Sequence, residues 1–330
     1  MSTWRIGLWL VMSLAACGED QASAEPTETP GSDAAVDPGA SADGGGADAG
    51  LVAPPADAAP TPDAQPGEVD AARPPPTRLS VLDQLGFARE VTPGVAPGFN
   101  LDERVSDGRD ELTCFKRDYT SPEGEPGIDN QLAGLVPLLD AFGLGAVEGL
   151  VQGSIEEGGL LIVWELDGLD DLVEDDEVRL RYRLGRGTPL LGTDGLLLSG
   201  QTFHVHPDSL DLVVPNARVS DGVLTAGPFD ARLPIVVFGV KYELPIQGTY
   251  LRARLTYDGG LEDGLLGGGV RVEDVLAIAV TANMNAGGVL DAVTAVLNGR
   301  GDMDRDETGA CKTISGAFAF SSVSAYFYQE

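Results

Sequence analysis

Glu177–Gly185 reads EVRLRYRLG. Val178, Leu180, Tyr182 and Leu184 alternate with Arg179, Arg181 and Arg183. A period of two puts the apolar set on one side of an extended chain and the cations on the other, whereas a helix would scatter both sets around its axis. The stretch is a strand with one wet face. The same reading spreads outward from it. Leu160–Leu166 (LLIVWEL) is a continuous apolar run, which makes a buried strand and places Trp164 in the core. Gln201–Pro207, Leu210–Val219, Ala231–Leu244 and Thr249–Gly259 continue the series between Gly, Pro, Asp and Asn turn signals. In the last of these, Tyr250, Arg252, Arg254 and Thr256 share one face, while Leu251, Ala253, Leu255 and Tyr257 share the other. Gly259–Val272 (GGLEDGLLGGGVRV) reads as a hairpin or a tight ladder, and Thr313–Glu330 as one or two strands closing the sheet.

Helical spacing interrupts this pattern in four places. Asp129 and Asn130 offer a cap before Gln131–Gly143, where Leu132, Leu135, Val136, Leu139 and Phe142 recur on one face, with Pro137 expected to kink the run. Weaker helical patterns cover Ala146–Ile155, Val272–Met284 and Val289–Asn298. The expected fold class is α+β and β-dominated: an antiparallel sandwich or barrel-like sheet with a few flanking helices. No internal repeat is visible.

Upstream of the strands the composition shifts. From Gly18 to about Arg78 the chain is built of Ala, Pro, Gly, Asp, Ser and Thr and has no aromatic residue. Such a segment cannot bury enough apolar area to offset the entropy of ordering it, and its scattered carboxylates repel one another. At about 5–6 Å × √n, sixty such residues reach roughly 40–50 Å on average. Still earlier, Arg5 precedes an apolar run from Ile6 to Ala16, too short for a comfortable bilayer span, which ends in Leu14-Ala15-Ala16-Cys17. This resembles the lipobox of bacterial lipoproteins. The resemblance implies cleavage before Cys17, diacylglycerol on its thiol and an acyl group on its new amine. It divides the chain into a signal peptide over residues 1–16, a disordered tether over 17–78 and a single β-rich exported domain over 79–330. Each buried CH₂ contributes about 0.8 kcal/mol, so one acyl chain holds only marginally while two or three hold durably. Gly18, rather than Asp, after the cysteine favours the outer membrane. The resemblance extends loosely to lipoproteins that join such a tether to a β-rich domain of unassigned activity.

The formal net charge of −31 repels nucleic acid and anionic lipid surfaces and attracts divalent cations. Nucleic acid is therefore not expected as a partner, and the membrane is expected as one through the N-terminal lipid alone. The remaining cysteines, Cys114 and Cys311, form an even pair in an exported chain and are expected to be bridged.

The candidate chemistry is sparse. Asp302, Asp304 and Asp306 alternate before Gly309 in GRGDMDRDETGAC, and a loop with carboxylates at every second residue can curl several onto Ca²⁺. It resembles the opening of EF-hand and dockerin-type loops, but Glu307 stands where their glycine falls and Thr313 where their bidentate Glu falls. Asp118, Glu123 and Asp129 form a second acidic loop that the expected bridge would bring near, so Ca²⁺ held between the two loops is the expected cofactor. Arg300-Gly301-Asp302 spells the integrin-type tripeptide, too short to carry weight alone. His204 and His206, two apart, would share a strand face as a weaker Zn²⁺ or Cu²⁺ pair. No G-x-S-x-G, H-E-x-x-H, phosphate-cradling glycine loop or C-x-x-C occurs, so no catalytic residue is assigned. The expected role is structural or binding. The alternatives are a carrier of apolar ligands and, behind it, an envelope hydrolase working through carboxylates.

Overall fold

The computed structural model describes residues 77–141, 146–237, 240–281 and 289–328. The expected signal peptide, Cys17 and nearly all of the tether lie outside the described residues. The described residues open with β1 (Arg78–Phe87). A small separate ladder follows, β2 (Tyr119–Thr120) with β3 (Pro126–Ile128), and then two helices, α1 (Val136–Ala141) and α2 (Ala146–Glu156). Next come β4 (Ile162–Asp167), β5 (Arg179–Arg186), β6 (Gln201–Val205), β7 (Leu212–Val214) and β8 (Arg218–Ser220). The long strands β9 (Val223–Val237), β10 (Val240–Leu255) and β11 (Leu261–Arg271) lead into α3 (Val272–Thr281) and α4 (Val289–Asn298). The chain ends with β12 (Met303–Arg305) and β13 (Cys311–Phe327).

The fold is β-dominated, and its centre is a closed barrel. Strands β1, β4, β5, β6 and β13 pair in that order, and β13 pairs back with β1. Closure removes the edges that an open five-stranded sheet would expose. Most of these pairs are antiparallel; β6 meets β13 in parallel over Ala325–Phe327. Seventeen residues long, β13 also borders β11, from which β10, β9 and β8 continue the sheet. That extension curls back, with the Gly227 amide donating to the Pro215 carbonyl at 3.0 Å and the Tyr182 hydroxyl to the Arg232 carbonyl at 2.5 Å. The main core lies inside this curl. Trp164 is 2% exposed and meets Tyr182 edge-on at 5.3 Å and Phe320 at 6.0 Å between ring centres.

The alternation in EVRLRYRLG holds: Val178, Leu180 and Tyr182 are buried. The opposite face is less wet than expected. Arg183 Nε lies 2.8 Å from Glu165 Oε2 on the paired strand, held by charge without hydrogen-bond alignment, and Arg181 Nε lies 3.3 Å from Asp167. The Asp211 carboxylate spans both arginines at 3.5 and 3.4 Å. The faces of β10 also fall as read, with Leu251 and Ala253 buried, but Tyr257 lies past the strand end and is 92% exposed.

Several boundaries differ from the sequence reading, each for a physical reason. The helix expected over 131–143 starts only at Val136, as α1. Pro137 thereby falls in its first turn, where a missing N–H leaves no bond unmade. Asn130 caps a tight turn instead, its Oδ1 accepting the Ala133 amide at 3.2 Å. Gly259–Val272 contributes one strand, β11, and not a hairpin. Its glycines admit neighbours from both faces: a Cβ on Gly267 would stand 2.5 Å from Phe99 Cδ2, and one on Gly268 2.7 Å from Ile246 Cγ2. Ala231–Leu244 is not one strand but the end of β9 and the start of β10, paired antiparallel. Thr313–Glu330 is a single strand as far as Phe327. Strand β1 has no counterpart in the sequence reading.

Candidate functional site

Beyond β1 the chain leaves the barrel and wraps the outer face of β11 and β13. Ala88, Leu265 and Ala317 form a small core there, roofed by Phe99. Phe99 stacks on Tyr250 with ring centres 5.9 Å apart and lies under the Arg252 guanidinium. Asn130, fully buried, pins the wrap. Its Nδ2 donates to the carbonyls of Ala88 and Pro97 at 2.9 and 2.8 Å, and its Oδ1 accepts the Ala317 amide besides that of Ala133. All four hydrogen-bonding positions of the amide are filled, as a buried Asn requires.

Two carboxyls are buried beside this staple. Asp302 is 4% exposed and accepts the Ser315 amide at 2.8 Å and the Ser315 hydroxyl at 2.5 Å; that hydroxyl in turn accepts the Gln131 amide. Asp129 is 3% exposed, its Oδ2 accepting the amides of Leu101 and Asp102 at 2.7 and 3.2 Å. Burial pushes Asp129 up to about 8, reinforced by the charge of Asp102 and opposed by the Leu101 amide. Burial likewise pushes Asp302 up to about 7 against the pull of the Ser315 hydroxyl and amide. Burial also raises Asp118, whose Oδ2 accepts the Ser106 amide. Asp118 and Asp302 both act electrostatically on Asp129.

The acidic residues picked from the sequence therefore divide. Asp118, Asp129 and Asp302 lie within electrostatic reach of one another. Asp304 accepts the Thr313 hydroxyl at 2.6 Å, across the β12–β13 hairpin. Asp306 closes the turn of that hairpin, its Oδ1 accepting the Thr308 hydroxyl and the Thr308 and Ala310 amides, and its Oδ2 facing Lys312 Nζ at 3.1 Å. The Thr308 hydroxyl and the neighbouring donors hold the Asp306 carboxyl well below the usual range. Glu123 is exposed in the turn between β2 and β3. Among the described residues, no group of three or more His, Cys, Asp or Glu side chains is placed to hold a metal ion.

Cys114 and Cys311 are bridged, with Cα atoms 6.1 Å apart. The bridge ties the wrap to the start of β13, and the ion pair of Arg305 with Glu111 lies beside it. The two histidines do not form a paired strand face. His204 is exposed and stacks on Tyr328 at 4.3 Å, whereas His206 lies beyond β6 and its Nδ1 accepts the Asp208 amide at 3.1 Å.

A cleft absent from the sequence reading lies over β1, β13 and β11, with a volume of about 700 Å³. Its floor is the middle of three neighbouring strands: Leu85 and Gly86 of β1, Ala319 and Phe320 of β13, and Gly264 of β11. One wall is the C-terminal end of α2. That helix is fixed across β1 by Glu148, which accepts the Phe87 amide at 2.7 Å and pairs with Arg89, and by Gln152, which donates to the Asp83 carbonyl at 2.9 Å. Asp83 sits in a β-bulge of β1, so its carbonyl is free for that bond. The other wall is the turn Asp194–Leu196. Four carboxylates rim the cleft: Glu156, Asp194, Glu262 and Asp263. They come from three distant segments, and only the EDG of β11 marks any of them in sequence. Comparison with family models, with curated proteins and with solved structures found no match.

Proposed function

We propose that this chain is an exported lipoprotein held to the cell envelope, on the outer membrane, by lipid on Cys17, with residues 17–78 as a spacer and a barrel domain in a structural or binding role. The observation that carries the reading is LAAC at residues 14–17, behind a basic residue and a short apolar run. The Cys114–Cys311 bridge supports export independently, because such bridges persist in oxidising compartments and are rare in the cytosol. The charge of −31 suits a domain kept clear of anionic head groups by an extended acidic spacer. Calcium has the weaker support: of the acidic residues only Asp118, Asp129 and Asp302 act on one another, and they are not grouped as metal ligands. An ion there would have to displace the protons that burial holds on Asp129 and Asp302, so its binding would strengthen with pH. The carrier reading is favoured over the hydrolase by the cleft, whose floor is apolar. Breaking cells without detergent tests the anchor. The chain sediments with membranes and enters a detergent phase if the reading is right; complete recovery in buffer contradicts it.

A further inference from the structure

The segment after β1 and the chain entering α1 form a second pocket, of about 330 Å³, lined by Arg89–Pro93 from the first and by Ala133, Val136 and Pro137 from the second. Hydrogen bonds fix the first wall. Glu90 Oε1 accepts the Gly94 amide at 2.5 Å, and the Gly94 carbonyl accepts the Thr120 amide at 3.0 Å, so the turn is tied to β2. The other oxygen of Glu90 has no partner among the described residues. Val91 on this wall is 64% exposed, and Pro93 and Pro137 are exposed with it, so the pocket offers open apolar surface that is not part of the core.

Next to Ala133, two donors converge over Gly134. A Cβ on Gly134 would stand 2.8 Å from Tyr119 Oη and 2.9 Å from Arg300 Nη1. The backbone there is not left-handed, so it is space and not conformation that calls for the glycine. Two atoms so placed are no farther apart than one acceptor oxygen can span with a hydrogen bond to each. Among the described residues, neither the Tyr119 hydroxyl nor the Arg300 guanidinium has a hydrogen-bond or ion-pair partner. Asp302, two residues beyond Arg300, is buried and bonded to Ser315 instead. Burial and the charge of Glu90 hold the Tyr119 hydroxyl above its usual range, against the pull of Arg300, so it stays a donor. Glu90 and Arg300 thus both act on Tyr119 but form no ion pair with each other. A plain anion would be repelled by Glu90 and a plain cation by Arg300, whereas a ligand carrying both charges matches both.

We propose that this pocket binds a small apolar amino acid. Its carboxylate bridges the Arg300 guanidinium and the Tyr119 hydroxyl, its ammonium meets Glu90, and its side chain lies on Val91 and Pro137. This gives the binding role of the domain a ligand class and rests on that reading, but not on the lipid at Cys17.

The test is a calorimetric titration of the full chain, purified in a non-ionic detergent. The probes are L-leucine, D-leucine, 4-methylpentanoate, which lacks the ammonium, and 3-methylbutylamine, which lacks the carboxylate. One enantiomer of leucine is expected to bind one to one, at least about tenfold more tightly than either single-charge analogue. Arg300→Gln should weaken that binding about tenfold and Tyr119→Phe about threefold or more. Glu90→Gln, which keeps the oxygen that Gly94 uses, should erase the preference for leucine over 4-methylpentanoate. Because the Tyr119 hydroxyl makes no bond within the fold, Tyr119→Phe should leave the melting temperature unchanged while binding falls. Either analogue binding as tightly as leucine, unchanged affinity in both Arg300→Gln and Tyr119→Phe, or no heat from any probe would each overturn the proposal. None of these outcomes touches the anchor, whose own failure would show as recovery of the chain in buffer when cells are broken without detergent.

Discussion

Asp129 and Asp302 remain protonated at pH values where an unfolded chain has long since ionised them. Their carboxyls titrate near 8 and 7 in the fold against 3.8 unperturbed. Between these limits the folded state binds more protons than the unfolded one, so stability falls as pH rises. The loss begins near pH 4 and levels off near pH 8. Asp129→Asn removes one of these groups and keeps an oxygen for the Leu101 and Asp102 amides. Its melting temperature is expected to match the parent near pH 4 and to exceed it by several degrees at pH 8; equal values at both pH settings would refute the buried-proton account. In the same series, Ca²⁺ bound at this seat would raise the parent's melting temperature at pH 9 and not at pH 5. Glycines supply a second residue-scale prediction. Gly267→Ala drives a methyl into Phe99 and should cost about 1–3 kcal/mol in urea unfolding. Gly149→Ala in α2 meets nothing within 4 Å and should stabilise by up to about 1 kcal/mol. The reverse order would mean that Phe99 does not lie on β11. The glycine run is plain in the sequence, but its cause is not, because Phe99 lies well over a hundred positions upstream.

The legible elements are those whose pattern is local. Strand β5 alternates because one face meets the core and the other meets charges, and both facts are written in nine residues. Strand β4 and its tryptophan are legible for the same reason. Strand β1 is not, although it closes the barrel. Its Asp83 bulge and the consecutive burial of Val81 and Leu82 erase any clean alternation, and it adjoins a polar, proline-rich tether. Helix α1 was misplaced because the apolar spacing before Pro137 belongs to a turn pinned by Asn130. The cleft was invisible because β1, α2, the 194–196 turn, β11 and β13 meet only once the sheet has curled. The Cys114–Cys311 bridge acts at this scale too. It closes a loop of 197 residues, worth roughly 5 kcal/mol in the chain-entropy model, and it clips the outer wrap to β13. Reduction, or Cys114→Ser with Cys311→Ser, should lower the melting temperature by at least several degrees and expose the wrap to proteases before the barrel. An unchanged melting temperature would show that the wrap is held without the bridge.

At the scale of the whole molecule, the described residues form a barrel domain stitched by a disulfide, and the proposed anchor and spacer lie upstream of it in the sequence. Among the described residues no helix is long and apolar enough to cross a membrane. The proposed attachment is through the sulfur of Cys17. Mass spectrometry of the N-terminal peptide, taken from the membrane fraction of the native host, tests this arrangement most directly. The account predicts a peptide that begins at Cys17 and carries diacylglycerol on sulfur and a fatty acyl group on its amine. A peptide beginning elsewhere, or an unmodified Cys17, would contradict it.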